Sequence, residues 1–181
     1  MMETRLNCRC GAVQLVAEKN PIITAECHCN SCREAGRRLR ALPSAPRLRF
    51  TEENGGTRFV LYRKDRVRFL AGTERLKELR LTEKSPTRRV VATCCNTPVF
   101  LEFQSGHWLS LYACLWPAGA VPKLELRTMT SDRSSDAAPL PNDVPNARSQ
   151  SVGFFAKLLG AWIAMGFRAP KIAVPGGRLE A

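Results

Sequence analysis

Short runs in which apolar and polar residues alternate fill the first two thirds of the chain. Runs of this kind, bounded by turn residues, are typical of β-strands. They predict strands over residues 12–16, 22–26, 57–62, 67–70, 78–81, 89–93, 99–103 and 108–113. Gly72, Ser85 with Pro86, and Asn96 with Pro98 lie between these runs, where the chain has to reverse. The pattern therefore predicts a mainly β domain.

One stretch of this region, 31–42, has the pattern of a short helix. Ser31 is a candidate N-cap, Glu34 follows three residues later, and Pro43 ends the helical pattern.

The composition changes after residue 128. Residues 129–151 are rich in Ser, Asp, Pro, Asn and Ala, which predicts a linker. Residues 152–167 are apolar but shorter than the roughly 20 residues that a membrane span needs. Their large apolar side chains recur at helical spacing, so we expect a helix that packs on its own domain, on a second copy or other partner, or on a membrane surface. The predicted organisation is a domain over 1–128, a linker over 129–151, and a helical extension with an irregular tail over 152–181.

Charge and composition narrow the range of partners. The 181 residues include 28 Lys and Arg against 16 Asp and Glu, a formal charge of +12, which indicates anionic partners. Nucleic acid is one such partner. Only 7% of the residues are aromatic, however, and the basic residues are spread along the chain, so no base-stacking surface is evident.

Eight cysteines carry the strongest chemical signal. The first residues are polar and lack the pattern of a secretory signal, so we expect a cytoplasmic, reducing location. Clustered cysteines in such a compartment are typical metal ligands rather than disulfides, and thiolates are favoured ligands of Zn²⁺. Cys114 stands alone among apolar residues and is expected to be a core residue.

The other seven cysteines form three groups: Cys8 and Cys10; Cys27, Cys29 and Cys32; and Cys94 and Cys95. Four plus three sulfurs fit two Zn²⁺ ions, one in a closed structural site and one in a site with an open position. We assign the sequentially complete triplet to the open site and the other four cysteines to the closed one. Adjacent residues of a strand point to opposite faces. Cys94 and Cys95 therefore share a metal if the chain turns there, as the following Asn96 suggests; otherwise one of them is a core thiol.

His28 lies between two cysteines of the triplet and would face away from their metal in a strand. Three roles are open for it: a hydrogen-bond donor behind the metal ligands, an acid or base near the site, or a surface residue.

Three motifs together resemble the glutathione-dependent formaldehyde-activating enzyme family, which shares its domain with centromere protein V. They are Cys8-Arg9-Cys10-Gly11, Cys27-His28-Cys29 followed by Cys32, and Cys95-Asn96-Thr97-Pro98. The resemblance covers residues 5–127. It implies a zinc-binding β-fold of the Mss4-like type, with Cys8, Cys10 and Cys95 as structural ligands and Cys27, Cys29 and Cys32 as ligands of a catalytic zinc.

The third motif departs from the family pattern. Ala92 occupies the position of its first cysteine, and Cys94 is the candidate for the missing ligand. The resemblance thus indicates a divergent branch of the family.

The function that the resemblance implies is that of a zinc-dependent carbon–sulfur lyase, which acts on adducts of a small aldehyde with a thiol such as glutathione. Arg33, Arg37 and Arg38 follow the triplet and are either candidate partners for the glutathione carboxylates or a solvated basic helix face. The alternative is a non-enzymatic zinc module that binds nucleic acid or another acidic partner. A homo-oligomer formed through 152–167 is compatible with both.

Overall fold

The structure is a computed structural model, and it describes residues 3–43 and 49–179. Strands dominate it, as predicted. They are β1 Glu3–Asn7, β2 Gln14–Glu18, β3 Ile23–Cys27, β4 Thr57–Arg63, β5 Val67–Ala71, β6 Leu76–Leu79, β7 Thr87–Ala92, β8 Thr97–Phe103, β9 Trp108–Tyr112 and β10 Leu126–Thr128. The two α-helices of the described residues are α1 Asn30–Ala41 and α2 Val152–Ile163.

The strands form two sheets. One has three strands in the order β1-β2-β5, and the other has seven in the order β10-β3-β4-β9-β8-β7-β6. Neighbouring strands are antiparallel except for β10, which runs parallel to β3. Residues of the tail hydrogen-bond to β6, the last strand of the larger sheet: Gly176 donates to Leu76 and Leu179 donates to Glu78.

Alternation along β4 separates two apolar layers. Val60 and Tyr62 belong to a core that also contains Leu6 and Leu15 of the smaller sheet. Phe59 and Leu61 point to the opposite face, because successive side chains of a strand alternate. The seven-stranded sheet is therefore covered by the three-stranded sheet on one face and by helices on the other.

Both helices pack on that second face. Leu39 of α1 lies in one apolar cluster with Val91 and Leu79, and Phe154 and Leu158 of α2 lie in the same apolar cluster as Phe59. No helix in the described ranges is long and apolar enough to cross a membrane.

Most predicted elements are present, with boundaries shifted by a few residues. The patterning missed β1 and β10. The helix predicted over 31–42 begins at Asn30, and its N-cap is Cys29 rather than Ser31. Residues after Thr128 return alongside β10, where Arg127 N–H donates to the carbonyl of Pro145 and Ala147 N–H donates to that of Arg127.

Candidate metal centres

The predicted cysteine groups come together in two clusters. We call Cys8, Cys10, Cys94 and Cys95 the four-cysteine cluster, and Cys27, Cys29 and Cys32 the three-cysteine cluster. Within each cluster the sulfur atoms all lie within 4.8 Å of one another, a spacing that could hold a metal ion. The division is the one that the sequence predicted.

Two loops build the four-cysteine cluster. After β1, the amide of Cys8 donates to the carbonyl of Val13 at 2.9 Å, and Gly11 takes a positive φ of 78° that lets the chain reverse. This loop holds the sulfur of Cys8 3.6 Å from that of Cys10.

The second loop connects β7 to β8. It determines whether the adjacent Cys94 and Cys95 can face the same metal. The chain turns at Cys94 and Cys95, with the amide of Cys95 donating to the carbonyl of Ala92 and with Asn96 at a φ of 53°. Cys94 Sγ consequently lies 3.7 Å from Cys8 Sγ and 4.0 Å from Cys95 Sγ. A tetrahedral zinc with Zn–S bonds of about 2.3 Å separates its sulfurs by about 3.8 Å. The spacing therefore suits a closed site to which both adjacent cysteines contribute.

Thr97 polarises one member of this cluster. Its hydroxyl accepts the amide of Arg9 at 3.2 Å and lies 3.0 Å from Cys95 Sγ, to which it can donate. Burial alone would raise the pKa of Cys95, but the hydrogen bonds from Thr97 and from backbone amides outweigh it and bring that pKa to about 6. Burial raises the pKa of Cys94 and of Cys8. Cys95 therefore ionises more readily than Cys8 or Cys94.

The three-cysteine cluster lies where β3 ends and α1 begins. Cys27 is the last residue of the strand, Cys29 is the N-cap of the helix, and Cys32 is in its first turn. Cys29 Sγ accepts the amide of Cys32 at 3.4 Å and lies 3.1 Å from the hydroxyl of Ser31. A sulfur in the capping position faces the positive end of the helix dipole, which stabilises a thiolate.

The three sulfurs also shift the pKa values of one another. Interactions with the thiols of Cys27 and Cys32 lower the pKa of Cys29 to about 2, and the hydroxyl of Ser31 acts in the same direction. The proximity of Cys29 raises the pKa of Cys27 to about 11, and both neighbours raise that of Cys32. The cluster thus holds one negative charge readily, and a metal ion is needed to hold three.

A buried polar network lies behind the cluster. His28 is buried, and its Nε2 is 2.8 Å from Glu26 Oε1. The same carboxylate oxygen accepts Asn54 Nδ2 at 2.8 Å and Arg127 Nε at 3.3 Å. Although burial would raise the pKa of Glu26, its hydrogen bonds with His28 and Asn54 and the charge of Arg127 lower it. His28 is therefore not a surface residue, and the network holds the end of β3, which carries Cys27.

Arg89 was not singled out in the sequence and is the least expected neighbour of the cluster. It lies on β7 with no exposed surface, and its Nη2 donates to the carbonyl of Ser31 at 3.0 Å. Within the described residues, its Nε and Nη1 have no hydrogen-bond partner and its guanidinium has no carboxylate within 4.0 Å. Burial raises the pKa of Tyr112, the positive charge of Arg89 lowers it and the nearby Cys32 raises it, so Arg89 and Cys32 both lie near this tyrosine. A buried cation that has no carboxylate partner among the described residues thus lies beside the first turn of α1, which carries Cys32.

The arginines proposed to bind glutathione lie on the outer side of α1. Arg37 and Arg38 both pair with Glu34 at 2.8 Å, and Arg33 contacts the side chain of Asn30. Cys114 contacts the apolar cluster of Phe59 and joins neither group of sulfurs.

Comparison with known proteins identifies a family for this chain. The family model described as "Glutathione-dependent formaldehyde-activating enzyme" matches residues 3–113. The chain belongs to this family. The match spans β1 to β9 and includes every cysteine of both clusters.

One solved structure to which the chain is similar is a crystal structure of a Rhodobacter sphaeroides protein, with a TM-score of 0.45 and 16% identity over 79% of this chain and 99% of that chain. A search among curated proteins finds no match.

Proposed function

We propose that the chain is a zinc-dependent enzyme that adds glutathione to a small aldehyde, or cleaves the adduct, as a carbon–sulfur lyase does. The observation that carries the proposal is the three-cysteine cluster, which offers three sulfurs to a metal that prefers four ligands. The position left over is available to a substrate sulfur or oxygen.

Charge supports the presence of a metal in this cluster. Three thiolates and Zn²⁺ sum to one negative charge, and the guanidinium of Arg89 supplies one positive charge nearby. A buried guanidinium without an anion is costly, because its desolvation is not compensated. A metal-bound set of thiolates would give Arg89 the counter-charge that the described side chains do not.

In this proposal, Cys27, Cys29 and Cys32 hold the zinc, which when bound supplies a Lewis acid and stabilises a thiolate at neutral pH. In the addition, a bond forms between the sulfur of glutathione and the aldehyde carbon, and the proton of the thiol ends on the aldehyde oxygen. The reverse reaction breaks that carbon–sulfur bond and returns the proton.

The other residues bind and position. Glu26 and His28 hold the strand that carries Cys27. Arg33, Arg37 and Arg38 are the proposed partners of the glutathione carboxylates, and Arg33 is the best placed of the three because Glu34 already pairs with the other two. The four-cysteine cluster, with all four positions filled by protein sulfur, holds the structural zinc.

The test measures the adduct of glutathione with formaldehyde, a hemithioacetal, directly. Zinc-loaded protein is mixed with glutathione and formaldehyde, and the rate of exchange between free and bound aldehyde is measured by NMR. We expect acceleration by the wild type and by Cys114→Ser, a thiol outside both clusters, and none by Cys29→Ser.

A wild type that carries two zinc ions per chain and leaves this exchange rate unchanged would overturn the proposal. The zinc module that binds an acidic partner would then be the better reading, and salt-dependent nucleic-acid binding would be the next measurement.

A further inference from the structure

A second surface of the molecule, distinct from the two cysteine clusters, lies along α2. The helix is fixed in place on its inner side. Ser151 caps it by accepting the amide of Phe154 at 3.2 Å, and Phe154 and Leu158 are buried against the larger sheet. His107 donates from Nε2 to the carbonyl of Leu158 at 2.8 Å and stacks on the ring of Trp162 with 5.6 Å between centroids.

The outer side of α2 is apolar and exposed. Val152 is 86% exposed, Phe155 56%, Leu159 51%, Ile163 55%, and Phe167, just beyond the helix, 61%. The four helix positions recur every three or four residues, so they form one stripe along the helix, and Phe167 lies beside Trp162 with 5.2 Å between ring centroids. We call this stripe, together with the half-exposed Trp162, the α2 outer face.

A shallow cleft extends the α2 outer face onto the sheet. It has a volume of about 720 Å³ and lies between α2 and the β8–β9 hairpin, where Phe103 and Trp108 line it. Phe103 is itself 39% exposed. Contiguous apolar surface of this kind is uncommon on a protein that works free in water, and it marks an interaction site.

The charges around this face indicate what covers it. Residues 144–179 contain five basic residues and no aspartate or glutamate. Lys157 and Arg178 pair with Glu125 and Glu83 from other parts of the chain. Arg168 and Lys171, directly after Phe167, are exposed and have no carboxylate within 4.0 Å in the part of the chain that the structure describes.

Two occupants of opposite charge can be compared on this basis. A second copy of the chain would bring a like net charge of +12, with its own Arg168 and Lys171, to the contact, and like charges repel. An anionic surface, in contrast, is attracted both by the net positive charge and by Arg168 and Lys171. Aromatic side chains beside Lys and Arg are also the composition of helices that lie in the interface between lipid headgroups and acyl chains.

Length decides how such a helix can meet a bilayer. The twelve residues of α2 extend about 18 Å, against a hydrocarbon core of about 30 Å. The inner side of the helix is already packed on the sheet, so only the outer face is available. The helix can therefore lie on a membrane but not cross it.

We propose that the α2 outer face, with Arg168 and Lys171, binds the surface of membranes that contain anionic lipids. Phe155, Trp162 and Phe167 enter the interface, and the two cations contact lipid phosphates or carboxylates. The chain would then be a peripheral membrane protein, and this proposal is independent of the reaction proposed for the cysteine clusters.

Vesicle co-sedimentation tests the proposal with the full chain. The vesicles are phosphatidylcholine alone, or phosphatidylcholine with one third phosphatidylserine. We expect binding to the anionic vesicles to exceed binding to the neutral ones by about tenfold or more, and to weaken between about 0.1 M and about 0.5 M salt. The fluorescence of Trp162, read as the difference from Trp162→Phe, should shift to shorter wavelength on binding.

Three double variants separate the contributions. Phe155→Ser with Phe167→Ser and Arg168→Gln with Lys171→Gln should each lower anionic-vesicle binding by about tenfold. Arg5→Gln with Lys19→Gln removes the same charge from exposed positions at the smaller sheet and should change binding by less than about twofold. All four side chains of the first two variants are exposed, so circular dichroism should show an unchanged fold.

Two results would overturn the proposal. If the Arg5 and Lys19 control loses as much vesicle binding as the Arg168 and Lys171 variant, the binding is a general attraction by net charge. A wild-type dimer in light scattering that Phe155→Ser with Phe167→Ser converts to monomer, without vesicle binding by either, would assign the α2 outer face to a second copy of the chain.

Discussion

The two cysteine clusters differ in what they connect. In the four-cysteine cluster, Cys8 meets Cys94 across 86 positions of sequence and joins a loop of the smaller sheet to a turn of the larger one. In the three-cysteine cluster, all three sulfurs come from residues 27–32, within one strand end and one helix start.

This difference implies different roles for the same ligand type. A metal that links distant segments removes much chain entropy from the unfolded state, whereas one held by a short local loop removes little. Conversely, the local cluster has the helix N-terminus and the buried Arg89 beside it, which are features that tune charge. We therefore expect the first cluster to govern stability and the second to govern chemistry.

The largest effect should follow from Cys10→Ser. Cys10 is exposed, so its replacement removes a ligand without opening a cavity in the core. We expect loss of the structural metal and a decrease in the free energy of unfolding of more than about 3 kcal/mol. Urea denaturation with parallel zinc analysis measures both, and Cys114→Ser is the matched control. If one zinc is lost and the unfolding midpoint does not change, the four-cysteine cluster does not govern stability.

The matched change in the other cluster is Cys29→Ser. Because this cluster is local, we expect the free energy of unfolding to change by less than about 1 kcal/mol while adduct exchange falls by about 100-fold or more. The serine hydroxyl can still cap α1, which protects the fold. The same urea titration and the NMR exchange assay provide the readouts. Unfolding as severe as that of Cys10→Ser would mean that both metals are structural.

Much of this comparison could be predicted from the sequence, because it depends on local spacing. Cys27, Cys29 and Cys32 lie on one short stretch, and the turn after Cys95 was indicated by Asn96, a residue that tolerates the left-handed conformation it adopts. The interpretation of Cys94 as the replacement for the cysteine absent at position 92 is consistent with its 3.7 Å distance from Cys8.

The features that the sequence did not predict depend on distant partners. Strand β10 has three residues and exists because it pairs with β3, more than ninety positions earlier. Because Arg89 follows Arg88, the sequence indicates an exposed position for it. In the structure, α1 covers the side of β7 that carries Arg89. A signal was available in the alternation, since Arg89 shares its phase with buried Val91.

A smaller effect is expected from Arg89→Met. This variant tests whether the charge beside the three-cysteine cluster affects its affinity for zinc. Without the guanidinium, the three-cysteine cluster should hold zinc about 10-fold to 100-fold less tightly, whereas the four-cysteine cluster should be unaffected. The metal-free protein should be no less stable, because the change removes a buried charge whose Nε and Nη1 have no hydrogen-bond partner among the described residues. Competition with a chromophoric chelator resolves the two zinc ions, and Arg89→Lys should restore part of the affinity. Equal weakening of both sites would indicate a general packing defect instead.

The smallest effect concerns the rims of the two clusters, and Arg33 and Arg9 form a matched pair for it. Both are exposed, and each is adjacent in sequence to a cysteine of one cluster. If the three-cysteine cluster is where glutathione binds, Arg33→Gln should raise the KM for glutathione by about fivefold with little change in kcat, as the loss of one exposed charge pair with a carboxylate would. Arg9→Gln, beside a cluster with no free ligand position, should leave both constants unchanged. Equal increases from the two variants would indicate that glutathione responds to the basic surface as a whole, and the carboxylates would then have no defined partner on α1.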